Sequence, residues 1–286
     1  MHTLYEALLR LIGVPGISHP VALEEIKRMP VFRVTNWTRA FGVLGGLEFV
    51  FTLPGCWIPF IYWVWRFPGV LAGSTVISRE VENRTWHPLR VTPLTAREIV
   101  VNKFAAVFRY MEQPLTLVTS VRAAPVLVFA AAWLGSTLTV LPQRGVAYWA
   151  GTTLAFLVAG FYLLVSPFID VAVDGAIGVL ASTLSQRRST ALIMAVLARL
   201  SLWMLPLALA VPFQDSTSRL FFGAVPEQGM LRMTGIVANF GPGYAFLWSG
   251  DALLSIGLVL AFFFARIGFV RLLLEVSIYR AARLEV

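Results

Sequence analysis

Charge is scarce in this chain: 13% of its 286 residues are Asp, Glu, Lys or Arg, where a soluble domain carries about 25%. Lysine is scarcer still, with Lys27 and Lys103 alone, and no Gly-Lys dipeptide occurs. A Walker A loop to cradle nucleotide phosphates is therefore excluded. The single cysteine, Cys56, excludes a disulfide within one chain and leaves too few thiols for a cysteine-based metal centre. The three histidines, His2, His19 and His87, lie far apart in polar stretches. They support neither a metal site nor a histidine-dependent catalytic centre, and with no clustered acids and bases the chain does not read as an enzyme. Internal repeats and low-complexity tracts are missing too. Near the N-terminus, Glu6 precedes Arg10 and no basic region leads into an apolar core, so a cleavable signal peptide is not expected.

What is abundant is apolar surface. Hydrophobic residues make up 58% of the chain, and the mean hydropathy is +0.76. Residues 123–143 and 145–169 carry no charge at all, and each run exceeds the roughly 20 residues that a helix needs to cross about 30 Å of hydrocarbon. The expected fold is all-α: a polytopic membrane protein with about six transmembrane helices. The formal charge of +8 would suggest nucleic acid in a soluble protein. In a membrane protein it reflects basic residues gathered in loops on the cytoplasmic side, so no nucleic-acid partner is expected.

Residues 1–39 read as a cytoplasmic or interfacial elbow. Within 21–40, Val21, Leu23, Ile26, Met29 and Phe32 alternate with Glu24, Glu25, Lys27, Arg28 and Arg33, the pattern of a helix lying at the lipid headgroups. Pro30 divides it. The membrane domain then occupies 40–286. Two short crossings are expected within 40–78, turning between Pro54 and Pro68, with Trp57, Trp63 and Trp65 as interfacial anchors. Further crossings are expected at about 123–142 and 145–167, joined by a turn at Pro142-Gln143-Arg144, and at about 190–212 and 249–272. Asp170 and Asp174 open a semi-polar stretch that reaches Arg187-Arg188 and is not counted as a crossing. The Gly- and Pro-rich outer segment 213–248 is read as dipping partly into the membrane. Five basic residues precede residue 40, seven lie in 79–122, two at 187–188 and four from Arg266 onward, against four in the proposed outer loops. Both termini are thus expected in the cytoplasm, with the chain in the cell (inner) membrane. A seventh crossing through 168–185 would put Arg187-Arg188 outside.

The stretch 79–103 is the most distinctive. Pro88 and Pro93 disfavour helix at His87 and Thr92. Thr95-Ala96-Arg97-Glu98 matches the capping box, with Thr95 as the cap and Glu98 reaching back. Val100, Phe104, Val107, Phe108 and Met111 follow at helical spacing. This predicts a helix end, a rigid corner and a second helix start.

In Glu80, Glu82, Thr85, Leu89, Thr92, Pro93, Leu94, Thr95, Glu98, Ile99 and Lys103 the stretch resembles the cytoplasmic loop of ABC-2 type transporter permeases. It departs from that pattern at Arg84, where Gly is usual, at Pro88, where an apolar helix former is usual, and at Asn102, where Gly often precedes the Lys. A weaker resemblance covers Gly175–Ala191, through Gly178, Ser182, Arg187, Arg188 and Ala191. The resemblance implies a permease subunit that dimerises with a second permease subunit and exports a substrate. It also implies that Glu80, Glu82, Thr85, Pro93, Thr95, Glu98 and Lys103 belong to the segment that couples to a separate ABC ATPase. That partner would bind the ATP; no cofactor is expected in this chain. The alternative is an accessory subunit of the same shape that anchors a larger membrane complex without transport.

Ionisable residues at membrane depth cost about 2.5–3.5 kcal/mol at a helix centre and point to function by default. Glu48 and Arg199 are the candidates, either paired across the bundle or with Glu48 lining a pathway. Arg266 is explained by snorkelling to the interface and Asp251 by interfacial exposure. Gly45-Gly46 and Gly151 read as close-packing positions.

Overall fold

The computed structural model describes residues 2–14, 22, 24–25, 27, 68–91, 93–210 and 252–284. Among these residues the protein is all-helical. In chain order the elements are α1 (His2–Ile12), α2 (68–75), α3 (Ser78–Glu82), α4 (Trp86–Val91), α5 (Ala96–Tyr110), α6 (Glu112–Leu184), α7 (Arg188–Ala210) and α8 (Ala252–Ala282). The expected pair of crossings falls mostly outside the described residues, as do Glu48, Gly45-Gly46, Asp251 and the segment 213–248.

Three helical stretches are long and apolar enough to cross a membrane: Gly145–Tyr162, Leu164–Leu184 and Ile256–Ala282. The first two lie end to end on α6. That helix is broken only at Gly145, whose φ of 79° and ψ of 164° suit a residue without a Cβ. The break falls immediately after Pro142-Gln143-Arg144, where the sequence predicts a turn. Beyond it the limb 146–184 is unbroken, roughly 58 Å at about 1.5 Å per residue.

This corrects the reading of 168–185 as a semi-polar stretch after a crossing. The helix runs straight through it because each acid in it meets an arginine from a neighbouring helix. Asp170 pairs with Arg266 of α8, and Asp174 Oδ1 lies 2.6 Å from Arg199 Nε of α7. α8 likewise runs on to Ala282, past the expected end near 272.

The core gathers around 164–184. α8 packs along α6, α7 packs on α6, and α5 fits between α6 and α8. α1 lays Leu8, Leu9 and Ile12 into the same core and rests on α8. α2 crosses α6 at two glycines: a Cβ on Gly73 would come 2.7 Å from Gly175 O, and one on Gly178 would come 2.8 Å from Gly73 Cα. No side chain fits at either position without moving backbone. The tightest described crossing thus uses Gly73 and Gly178, neither of which composition alone singles out.

Candidate functional site

The corner is built from short-range rules. α3 ends at a turn in which Arg84 has a φ of 59°, the sole left-handed non-glycine among the described residues. Such a conformation costs about 1–2 kcal/mol for a residue with a Cβ. Trp86 then starts α4 and is fully buried beneath it. His87 is helical here, contrary to the expectation from Pro88, because Pro88 sits in the first turn, where its missing N–H removes no helical bond. At Pro93-Leu94 the chain leaves the helix, and α5 begins with the predicted capping box. Glu98 N donates to Thr95 Oγ1 at 3.2 Å, and Thr95 N donates to Glu98 Oε2 at 2.7 Å.

α5 departs from the amphipathic expectation. Val100, Phe104, Val107, Phe108 and Met111 are buried, but so are Lys103 at the edge of that face and Asn102 on the opposite side. Asn102 Nδ2 donates to Glu98 O at 2.7 Å, while its Oδ1 is buried without a partner. Lys103 instead enters an ion cluster. Its Nζ lies 2.8 Å from Glu25 Oε2 and 3.3 Å from Glu80 Oε1. Arg79 Nη2 pairs with Glu25 Oε1 and lies 3.8 Å from Glu80 Oε1. Thr85 Oγ1 donates to Glu80 Oε2. Two cations and two carboxylates thus alternate around a closed ring. Side-chain exposure is 2–3% for Glu25, Glu80 and Lys103, and 21% for Arg79. Burial pushes the Glu80 carboxyl up, but Lys103, the Thr85 hydroxyl and Arg79 together outweigh it and hold the group below its usual value.

The seven residues expected to couple to a partner therefore divide in two. Glu80 and Lys103 face inward and pair with each other, and Glu80 also lies beside Arg79. Glu82, Thr85, Pro93, Thr95 and Glu98 are exposed. Glu82 pairs with Arg188 Nε at 3.0 Å, Arg188 also donates to Asn83 Oδ1 at 2.9 Å, and Arg97 pairs with Glu275 of α8 at 2.9 Å. His87, Pro88 and Val91 are exposed beside them, Val91 by 74%. The sequence reading passed over Val91, although an apolar residue between Arg90 and Pro93 in a charged loop was its signal.

The inner end of α6 holds the corner in place. Ser182 Oγ accepts from Ile77 N at 2.8 Å and from Ser78 N at 2.7 Å, serving two donors at the start of α3. Of the five positions of the weaker resemblance, four are buried against or bonded to this region: Ser182 accepts from α3, Gly178 meets Gly73, Arg188 meets Glu82, and α3 packs on α7, in which Ala191 is buried; Arg187 is exposed.

Two further charged pairs lie along α6. Asp170 and Asp174 are one helical turn apart and almost completely buried. Arg266 reaches Asp170, donates to Tyr162 Oη at 3.3 Å and stands 5.6 Å over the Phe262 ring. This replaces the snorkelling explanation for Arg266. Arg199 meets Asp174, while Glu48 lies outside the described residues. The signal for both partners was an i, i+4 acid pair in an apolar run, opposite two arginines in apolar helices. Among the described residues no three metal-ligating side chains come together. No protein-family model, curated protein or solved structure matched the chain.

Proposed function

We propose that the chain is the permease subunit of an ABC-2 type transporter: six crossings, both termini cytoplasmic, moving a substrate with energy from a separate ATPase. The single observation that carries the reading is the corner at 79–103, with its exposed outer face and its charged, buried inner face. A surface that takes up force from a partner needs both parts. Glu82, His87, Pro88, Val91, Pro93 and Glu98 form the outer face, and the ring with Ser182 ties the corner to α6 behind it. The left-handed Arg84 supports the same reading, because the ABC-2 pattern has Gly at that position and Gly adopts this conformation without strain.

The experiment is co-purification of the ATPase from the same host with the chain carrying Val91→Asp and Glu98→Ala. Both side chains are exposed and Glu98→Ala removes one cap bond of α5, a cost of about 1 kcal/mol, so insertion and folding are expected to persist while ATPase recovery falls by about tenfold, the equivalent of roughly 1.4 kcal/mol. A control with Asp215→Ala and Glu227→Ala is expected to keep full recovery. Equal recovery from both variants would reduce the corner to a connector and favour an anchoring subunit. Orientation has its own test. Thr85→Cys in a Cys56→Ser background is expected to resist an impermeant thiol reagent in intact cells and to react after permeabilisation.

A further inference from the structure

The ring of Glu25, Arg79, Glu80 and Lys103 does more than neutralise buried charge. Three of its members come from the corner and the helix behind it, and the fourth comes from the N-terminal segment, 54 residues from Arg79 and 78 from Lys103 in sequence. Each cation touches both carboxylates, and each carboxylate touches both cations. The ring is therefore charge-balanced, and removing any single member unbalances it. Removing Glu25 leaves Lys103 and Arg79 sharing one carboxylate inside the protein, where an uncompensated charge is costly. Among the described residues of the segment around Glu25, Ala22 is buried, and Glu24 and Lys27 are exposed and pair with each other.

We propose that this ring is a clamp that makes the N-terminal segment around Glu25 and the corner at 79–103 one rigid body. Under the transporter reading, on which only this consequence rests, a displacement of the corner by the ATPase is delivered to the N-terminal segment and not absorbed in the loop. The segment is then a moving part of the coupling machinery.

The clamp is tested with spin labels at Lys27→Cys and His87→Cys, both exposed, in a Cys56→Ser background in lipid nanodiscs. The parent is expected to give one narrow distance distribution. Glu25→Ala is expected to broaden it at least twofold and to lower the melting temperature by more than about 5 °C. Glu25→Ala with Arg79→Ala leaves the balanced Lys103–Glu80 pair, so the melting temperature is expected to recover while the distribution stays broad. A merely stabilising ion cluster would restore both together. The double variant also keeps the test open should Glu25→Ala fail to accumulate. The exchange Glu25→Lys with Lys103→Glu is expected to rescue nothing, because Glu at 103 would face Glu80 and Lys at 25 would face Arg79. Rescue by that exchange, or a distribution as narrow in Glu25→Ala as in the parent, would overturn the clamp. In the complex with the ATPase, ATP is expected to leave the 27–87 distance unchanged while the distance from position 87 to a label at Tyr279→Cys shifts. A nucleotide-dependent change in the 27–87 distance refutes the single rigid body. Failure of any ATPase to bind removes the transporter reading and leaves the clamp to be judged on the chain alone.

Discussion

Gly145–Tyr162 and Leu164–Leu184 are consecutive lengths of α6, continuous from residue 146 onward, with mean hydropathies of 1.3 and 1.7, yet 22% of the first and 89% of the second is buried within the protein. The outer length turns Val146, Leu154, Leu157 and Phe161 outward, as a helix facing lipid does. The inner length is enclosed by α2, α5, α7 and α8 and carries the polar groups: Asp170, Asp174, Ser182 and Thr183 are all buried. Lipid supplies no hydrogen bonds, so polar groups at this depth are tolerable where other helices bring partners. The difference shows how one apolar rod serves two solvents. The enclosed length is also where α6 meets the corner, through Ser182.

The sharpest way to break this comparison is to strand a charge in the inner length. Asp174→Ala removes the carboxylate that Arg199 meets and is expected to cost about 3–5 kcal/mol, read as a large fall in melting temperature in a single detergent. Asp174→Leu with Arg199→Met is expected to recover most of that loss, since well-packed apolar residues often replace a buried pair at little cost. Leu157→Ala in the outer length is expected to stay within about 0.5 kcal/mol. A comparable loss at Leu157 would show that the outer length is also covered by protein.

Next in size is the glycine crossing. Gly178→Ala drives a methyl into the backbone of α2 and is expected to cost about 1–3 kcal/mol, whereas Gly135→Ala, with open space around its Cβ, is expected to stabilise α6 by about 0.5–1 kcal/mol. Ser182→Ala removes the acceptor from two buried N–H groups and is expected to cost about 1–3 kcal/mol. Loss of ATPase recovery in that variant, with the outer face of the corner untouched, would sharpen the role of the inner length as its support.

Acid is a gentler probe. The Glu80 carboxyl titrates lower in the folded protein than its usual 4.5. Its stabilisation is therefore full above that value and is lost as pH falls through the folded pKa. The melting temperature is expected to drop on acidification below about pH 4.5, more steeply in the parent than in Glu80→Gln. Equal slopes would place the acid-labile group elsewhere. The smallest effect is Arg84→Gly. Relief of the left-handed strain and the greater freedom of Gly in the unfolded chain oppose each other, leaving an expected net gain of about 0.5 kcal/mol. Arg84→Val is expected to destabilise.

Much of the corner was legible because local rules build it. The Thr95–Glu98 box is a matter of three-residue spacing, and the break at Gly145 falls one residue beyond the turn expected at Pro142-Gln143-Arg144, which are themselves helical. The arrangement of the site was less legible. Glu80 and Glu82 are two residues apart in the same charged stretch, but Glu80 points into the ring and Glu82 to Arg188 at the surface. Nothing local separates them, since the choice depends on Lys103 and Glu25 arriving from other segments. Asp170 and Asp174 were read as ending a crossing for the same reason: their arginines lie on other helices.

By itself the sequence determined a helical protein with membrane-length apolar segments, the cap that opens α5, the break near Gly145 and the charged corner. Each depends on composition or on contacts within about one helical turn, which are fixed by spacing along the chain. The tertiary structure alone decided which half of α6 is enclosed, that Gly73 and Gly178 meet, that Arg199 and Arg266 pair with neighbouring acids of one helix face, and that Glu25 closes a ring around Lys103. An apolar residue is equally content against lipid or against another helix, so hydropathy does not distinguish the two. A buried charge is stable only beside a partner whose position the whole fold sets.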